Sequence, residues 1–151
     1  LPGYKLVLAG KEGRGLTALQ KRVAQLGLEN KVRFLGFVPV RELPYLYNGA
    51  ALFVYPSLYE GFGLPPLEAM RCGTPTIVSD SSSLPEIVGA GAMQVKTGEL
   101  PALTEAMFEL LTHEEKREKL SLAALRVAGG YSWQKTALET LAVYEKCAAS
   151  T

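Results

Sequence analysis

The sequence predicts an α/β protein built around a three-layer, doubly wound parallel sheet of about five strands. Short, nearly unbroken apolar runs are typical of parallel strands that are buried on both faces. These runs alternate with segments whose apolar residues recur at helical spacing, as in chains of strand, crossover helix and strand. The length of 151 residues, 48% of them hydrophobic, suits one domain, so residues 1–151 are expected to form a single one.

The first half of the chain alternates strand and helix. Residues 4–9 (YKLVLA) form an apolar run that ends at Gly10, and residues 16–26 carry leucines and a valine at helical spacing before Gly27. A second strand over 32–35, a short helix over 40–47 and a third strand over 51–55 follow. Each glycine marks a turn between two elements.

The second half continues the alternation and then becomes helical. A helix over 64–72 and strands over 76–79 and 92–95 complete the predicted sheet. Helices over 100–111, 114–127 and 133–147 follow, and Gly129 and Gly130 separate the last two. The chain therefore divides into a sheet-forming part and a helical tail.

Composition excludes several classes of function. Sixteen basic and fifteen acidic residues leave almost no net field, which argues against nucleic-acid binding. The longest apolar run is too short to cross a bilayer and residues 1–11 lack a secretory signal, so a cytoplasmic protein is expected. Cys72 and Cys147 have neither disulfide nor metal spacing. We therefore expect no metal and no cofactor.

Loops that follow the strands are the candidate binding segments, because doubly wound sheets bind ligands outside the carboxyl ends of their strands. Residues 10–15 (GKEGRG) place Lys11 and Arg14 among glycines, and Arg41 ends the segment GFVPVR. Ligand contact is one interpretation of these three charges. Solvated side chains at a strand-to-helix turn, or on the first turn of a surface helix, are the other.

The third loop lies within YPSLYEGFGLPPLEAMRCGTPTIVSD, residues 55–80. Pro65 or Pro66 marks the first turn of a helix, which places Gly63 at or near its N-cap. Backbone N–H groups left unpaired there, with the positive end of the helix dipole, suit a phosphate or sugar hydroxyls. Glycine at positions 61 and 63 allows a ligand to approach the backbone closely.

Two glutamates flank this turn. Glu68, one turn into the helix, can accept two hydrogen bonds at once, as the paired hydroxyls of a ribose require. Glu60 precedes the turn and can do the same for a sugar ring. Alternatively, both acids only favour a helix N-terminus electrostatically, an interpretation that fits Glu68 better than Glu60.

The pattern of Glu60, seven residues and Glu68 resembles the signature of the retaining, nucleotide-sugar-dependent glycosyltransferases of family 4 (glycosyl transferases group 1), which have the two-domain GT-B fold. The likeness continues through LVLAGKEG, NKVRFLGFVPVRELPYLYNGAALFVYPS, SSLPEIVGAGAM and YSW. It covers nearly the whole chain. The resemblance implies the C-terminal, Rossmann-like, nucleotide-sugar-binding domain of such an enzyme.

The resemblance also implies roles for individual residues. Glu68 would bind the ribose of the donor nucleotide, and Glu60 is the candidate catalytic residue, in contact with the transferred sugar. The main chain of Phe37 and Val38 would contact the nucleobase. The sugar hydroxyls and the diphosphate would meet a backbone segment made of Gly61, Phe62, Gly63 and Leu64.

The implied function is transfer of a hexose of the mannose or glucose class from a nucleoside-diphosphate sugar to a glycan or glycolipid, as in polysaccharide biosynthesis. SSLPE at residues 82–86 is similar to a subgroup with many mannosyltransferases, so GDP-mannose is the first expected donor and a UDP- or ADP-hexose the next. The full enzyme could lie peripherally on a membrane, and an oligomer is possible. The alternatives are a non-catalytic nucleotide-binding or assembly module and a vestigial structural fragment.

The sequence begins at a strand that is normally the second of the family domain. The first strand and helix, and the N-terminal acceptor domain, are therefore expected to be missing, and the chain alone to be incomplete for catalysis. Unless another chain supplies that strand, the five strands are expected to close up in the order 2-1-3-4-5.

Overall fold

The computed structural model describes residues 3–11, 13 and 15–149. The chain divides into two compact units, Leu1–Leu43 and Pro44–Thr151. Each unit is described by itself below.

The first unit is a parallel strand pair with a crossover helix. β1 (Leu6–Ala9) and β2 (Val32–Gly36) flank α1 (Leu16–Gln25), and a 3-10 turn (Val40–Glu42) follows. The ladder runs from Leu6 opposite Val32 to Ala9 opposite Gly36, with an irregularity between Leu8 and Ala9. The two strands therefore end at the same edge, where the Gly10 N–H donates to the Gly36 carbonyl at 2.9 Å.

The second unit contains a three-stranded parallel sheet in the order β3-β4-β5. Its strands are β3 (Phe53–Tyr55), β4 (Thr76–Ser79) and β5 (Met93–Val95). Its helices are α2 (Leu43–Gly49, which begins in the first unit), α3 (Leu64–Arg71), α4 (Leu84–Val88), α5 (Leu100–Thr112), α6 (Glu114–Gly129) and α7 (Trp133–Ala148), with a 3-10 turn at Gly89–Gly91.

The fully buried central strand, β4, separates two clusters of core residues. Successive side chains of a strand point to opposite faces. Val78 accordingly packs with α3, α4 and α6, in a cluster that includes Met70 and Leu84. Ile77 packs on the other face with Ala106 and Leu110 of α5. Helices thus cover both faces of this sheet, which is the three-layer arrangement that the sequence predicts.

The predicted fold class and the five parallel strands are confirmed, with element bounds shifted by a few residues. One helix was not predicted, namely α4, which has only five residues and too few apolar positions to establish a period. Gly129 ends α6 instead of separating it from α7.

The expected single sheet in the order 2-1-3-4-5 is not formed by the described residues. β1 pairs with β2, and β4 pairs with both β3 and β5, so the described strands form two separate ladders. Leu6 and Val7 of β1 are 47% and 48% exposed. A central strand of a closed parallel sheet would be covered on both faces, and β1 lacks that cover.

The described part of the chain contains no helix that is both long enough and apolar enough to cross a membrane.

Candidate functional site

The turn between β3 and α3 carries the predicted site residues of the second unit. Gly63 is the N-cap of α3 and adopts the left-handed conformation, with φ 102° and ψ 49°. A Cβ atom at this position would lie 2.6 Å from Cδ2 of Leu84, a fully buried residue of α4. Glycine is therefore required here by both backbone conformation and packing. The predicted N-cap is confirmed.

Backbone donors are left available at this turn. Pro65 and Pro66 follow Leu64 and have no N–H. No described residue accepts a hydrogen bond from the N–H of Phe62, Gly63 or Leu64. These three donors lie at the positive end of the α3 dipole, where an anion or a hydroxyl oxygen is favoured.

Glu60 is held by hydroxyl groups from its own segment. The Tyr55 hydroxyl donates to Glu60 Oε1 at 2.7 Å, and Ser57 Oγ donates to the same oxygen at 2.8 Å. These two bonds lower the pKa of the Glu60 carboxyl below its usual value. Glu60 is thus a carboxylate with one oxygen occupied, able to accept hydrogen bonds through the other.

A segment rich in serine, residues 79–83 (SDSSS), fixes the backbone around Glu60. Ser82 Oγ accepts from the Glu60 N–H at 2.8 Å, and Ser83 Oγ donates to the carbonyls of Glu60 and Phe62 at 3.2 and 3.0 Å. Ser82 has a φ of 50°, a conformation that non-glycine residues rarely adopt. The serine segment therefore positions the whole turn.

The serine segment also fixes Ser57, one of the two residues that contact the Glu60 carboxylate. Ser79 and Ser81 both donate to the Ser57 carbonyl, Ser81 at 2.9 Å. Sequence reasoning used residues 82–86 only for the family resemblance and gave this segment no role in the site. The signal was present, because residues 80–83 follow the buried strand β4, and loops after neighbouring parallel strands meet at one edge of a sheet.

Glu68 lies one turn into α3 and is exposed. The Tyr47 hydroxyl of α2 donates to Glu68 Oε2 at 3.1 Å. Tyr47 is buried, and both its burial and the nearby Glu68 charge raise the pKa of its hydroxyl, which keeps it protonated and a donor. The Glu68 carboxylate is therefore held by one hydrogen bond, whereas the Glu60 carboxylate is held by two.

Phe62 and Leu64 expose 43% and 44% of their surface. Together with Glu68, they line an open cavity of about 400 Å³ between α3 and the start of α7. The Phe62 ring packs edge-on against Tyr131, with centroids 6.2 Å apart. Glu60 is not part of this lining, so the two glutamates face different surroundings.

The remaining predicted residues belong to the first unit. Lys11 is exposed after β1, and Phe37 and Val38 follow β2, Phe37 being 73% exposed. Arg41 is exposed, and its Nε lies 3.7 Å from the adjacent Glu42, a pair of little energetic weight. Arg14 lies outside the described residues. The roles given to all these residues stay predictions.

Comparison with known proteins gives the family. The family model described as glycosyl transferases group 1 matches residues 1–127. The O-antigen chain mannosyltransferase B of Escherichia coli is 39% identical over 142 residues, which is 94% of this chain and 37% of that protein. The chain thus spans little more than a third of this relative.

Solved structures agree with this assignment. The Anabaena protein Alr3699/HepE in complex with UDP superposes with a TM-score of 0.85 at 25% identity, over 97% of this chain and 42% of that one. Its complex with UDP-glucose gives a TM-score of 0.78 at 27% identity, over 86% of this chain and 37% of that one. The chain belongs to the glycosyl transferases group 1 family.

Proposed function

We propose that this chain is the donor-binding part of a retaining glycosyltransferase of family 4 with the GT-B fold. It would take a hexose from a nucleoside-diphosphate sugar for transfer to a glycan or glycolipid. The observation that carries the proposal is the turn before α3, where available N–H groups lie next to the fixed carboxylate of Glu60. Donors for an anion and an acceptor for hydroxyls occur there within five residues.

Each part of the donor has a proposed partner. The main chain from Gly61 to Leu64 donates to the diphosphate and to sugar hydroxyls, as suits the positive end of a helix. Glu68 accepts the paired ribose hydroxyls, and Glu60 accepts hydroxyls of the transferred sugar. In the first unit, the main chain of Phe37 and Val38 contacts the nucleobase. Lys11, Arg14 and Arg41 are weaker candidates for phosphate contact.

The proposed reaction breaks the bond between the anomeric carbon and the diphosphate oxygen, and the nucleoside diphosphate leaves with the electron pair. An acceptor hydroxyl bonds to the same face of the anomeric carbon, and its proton passes to the departing diphosphate oxygen. Charge develops on the diphosphate, so pre-aimed N–H donors at Gly63 and Leu64 stabilise the transition state more than the ground state. The proposal includes no metal ion and no cofactor, because the nucleotide sugar is a substrate.

GDP-mannose is the first proposed donor. The similarity to an O-antigen chain mannosyltransferase supports mannose, whereas the Anabaena neighbour is described with UDP and UDP-glucose, so a UDP-hexose comes next. Because the chain spans 37% of the mannosyltransferase, we propose that the acceptor is bound by residues beyond these 151. We expect no transfer from the chain by itself.

Calorimetric titration of the 151-residue chain with GDP-mannose, UDP-glucose and ADP-glucose tests the proposal. We expect binding of one donor, and a loss of about tenfold or more in affinity in Glu68→Gln, which replaces a charged acceptor by a neutral amide. Glu105→Gln, at an exposed position of α5, is the matched control and should bind like the wild type. No binding of any donor at millimolar concentration would overturn the proposal and favour a vestigial pocket.

A further inference from the structure

Each glutamate of the site receives a hydrogen bond from a tyrosine of a neighbouring element. Tyr55, at the end of β3, donates to Glu60 Oε1, and Tyr47, in α2, donates to Glu68 Oε2. No described residue donates to the second oxygen of either carboxylate. A carboxylate accepts through both oxygens. One oxygen of each glutamate is thus fixed by the protein while the other stays available to a ligand.

The two tyrosines belong to one row of aromatic rings. The Tyr47 ring packs edge-on against Phe53, with centroids 5.4 Å apart and planes at 89°. The Phe53 ring stacks on Tyr55 at 6.0 Å, with planes at 18°. Residues 53 and 55 share a face of β3 because strand side chains alternate. Phe53 therefore contacts both tyrosine rings, and both contacts have favoured aromatic geometries.

Both tyrosines remain donors at neutral pH. Burial, followed by the hydrogen bond to Glu60, raises the pKa of Tyr55 to about 12. Burial and the Glu68 charge raise the pKa of Tyr47 further still. Glu60 in turn stays ionised, since the bonds from Tyr55 and Ser57 lower its pKa. Tyr55 therefore remains the donor, and Glu60 the acceptor, of their hydrogen bond over the physiological pH range.

We infer that Tyr55 and Tyr47 are positioning residues for the nucleotide-sugar donor, joined by Phe53. Tyr55 orients Glu60 so that its free oxygen meets a hydroxyl of the transferred sugar, and Tyr47 orients Glu68 towards the ribose. The inference rests on the proposed function. It adds that the two glutamates are set by one aromatic row, and that each tyrosine acts on a different part of the donor.

The two variants Tyr55→Phe and Tyr47→Phe keep the rings and remove only the hydroxyls. They are titrated calorimetrically with GDP, GDP-mannose, UDP and UDP-glucose. For Tyr55→Phe we expect the affinity for the nucleotide sugar to fall about fivefold to tenfold, and the affinity for the nucleoside diphosphate to fall less than about twofold. For Tyr47→Phe the affinities for the two ligands should fall by about the same factor. Tyr45→Phe, at a position that is 79% exposed, is the matched control.

A measurement without ligand tests the contact itself. The carboxyl carbon of Glu60 is followed by NMR as the pH is lowered, in the wild type, Tyr55→Phe and Ser57→Ala. The pH midpoint of the Glu60 titration should rise in both variants, since each loses one hydrogen-bond donor to Oε1. An unchanged midpoint in Tyr55→Phe would overturn the inference at its first step.

The remaining outcomes separate the inference from the proposed function. If the wild type binds a nucleotide sugar and Tyr55→Phe binds it as Tyr45→Phe does, the positioning role is wrong and the proposed function stands. If Tyr55→Phe weakens nucleoside diphosphate and nucleotide sugar equally, the assignment of Tyr55 to the sugar is wrong. If the wild type binds no nucleotide or nucleotide sugar, the proposed function fails, and the inference fails with it.

Discussion

The turn around Glu60 and the loop after β2 both leave the carboxyl end of a parallel strand, but their side chains are held very differently. Glu60 is held through its carboxylate by Tyr55 and Ser57, and through its backbone by two serines. Phe37, in contrast, is 73% exposed. A binding role that depends on a side chain requires such support, whereas a main-chain contact requires only the fold. Substitutions should therefore have large effects in the turn and small ones in the loop.

Gly63→Ala should cause the largest loss of stability. The substitution places a Cβ atom at φ 102°, 2.6 Å from the buried Leu84 side chain. Left-handed strain and overpacking together should lower the free energy of unfolding by about 2 to 4 kcal/mol. Urea denaturation followed by circular dichroism measures this loss.

The control lies two residues away in the same turn. A Cβ atom at Gly61 would have open space around it, since nothing lies within 4 Å, and the φ of Gly61 is outside the left-handed region. Gly61→Ala should therefore change the free energy of unfolding by less than about 0.5 kcal/mol. Equal losses in the two variants would show that the packing against Leu84 is not what fixes the turn.

Ser83→Ala should cause a smaller loss, about 1 to 2 kcal/mol in the free energy of unfolding, because the carbonyls of Glu60 and Phe62 each lose a hydrogen bond. Thermal unfolding by calorimetry measures it. Ser121→Ala is the control, because Ser121 is half-buried in α6 and its hydroxyl makes no hydrogen bond to a described residue. A melting temperature of Ser83→Ala equal to that of Ser121→Ala would contradict a supporting role for the serine segment.

The sequence was informative where the signal is local. Pro65 and Pro66 lack N–H groups, and Gly63 precedes them, so the start of α3 followed from neighbouring residues alone. The hydrogen bonds that support Glu60 could not be predicted from its neighbours in sequence. Ser82 and Ser83 are more than twenty residues away and reach Glu60 only when β3 and β4 pair. Serine also carries no signal specific to such a contact, since it is equally common in solvated loops.

Sheet pairing shows the same limit. The apolar runs identified all five strands, because each run is a local property of the chain. Which strands pair depends on edges and register between distant segments. The separation into β1-β2 and β3-β4-β5 was for that reason not predicted.

Lowering the pH should remove part of the stability that the hydrogen bonds to the ionised Glu60 contribute. The pKa of Glu60 is lowered in the folded state from an ordinary value of 4.5. Its contribution to stability is therefore present above that value and is lost as the pH falls through the folded pKa. The difference in unfolding free energy between the wild type and Tyr55→Phe should be constant above about pH 6 and shrink towards about pH 3.

Denaturant titrations at a series of pH values give this difference directly. The variant Tyr45→Phe, which changes an exposed tyrosine, should differ from the wild type by the same small amount at every pH. A gap between wild type and Tyr55→Phe that did not change with pH would mean that the Tyr55 hydroxyl stabilises the fold without favouring the ionised Glu60.

Phe37→Ala should have the smallest effect. The ring is 73% exposed, so the free energy of unfolding should change by less than about 0.5 kcal/mol. If the nucleobase is bound through the main chain of Phe37 and Val38, the affinity for the nucleoside diphosphate should change by less than about twofold. A drop of about tenfold, measured by calorimetry, would instead indicate that the base stacks on the ring, since such stacking is worth about 1 to 3 kcal/mol per base. The loop after β2 would then hold its ligand through a side chain, as the turn around Glu60 does, and exposure alone would not distinguish the two regions.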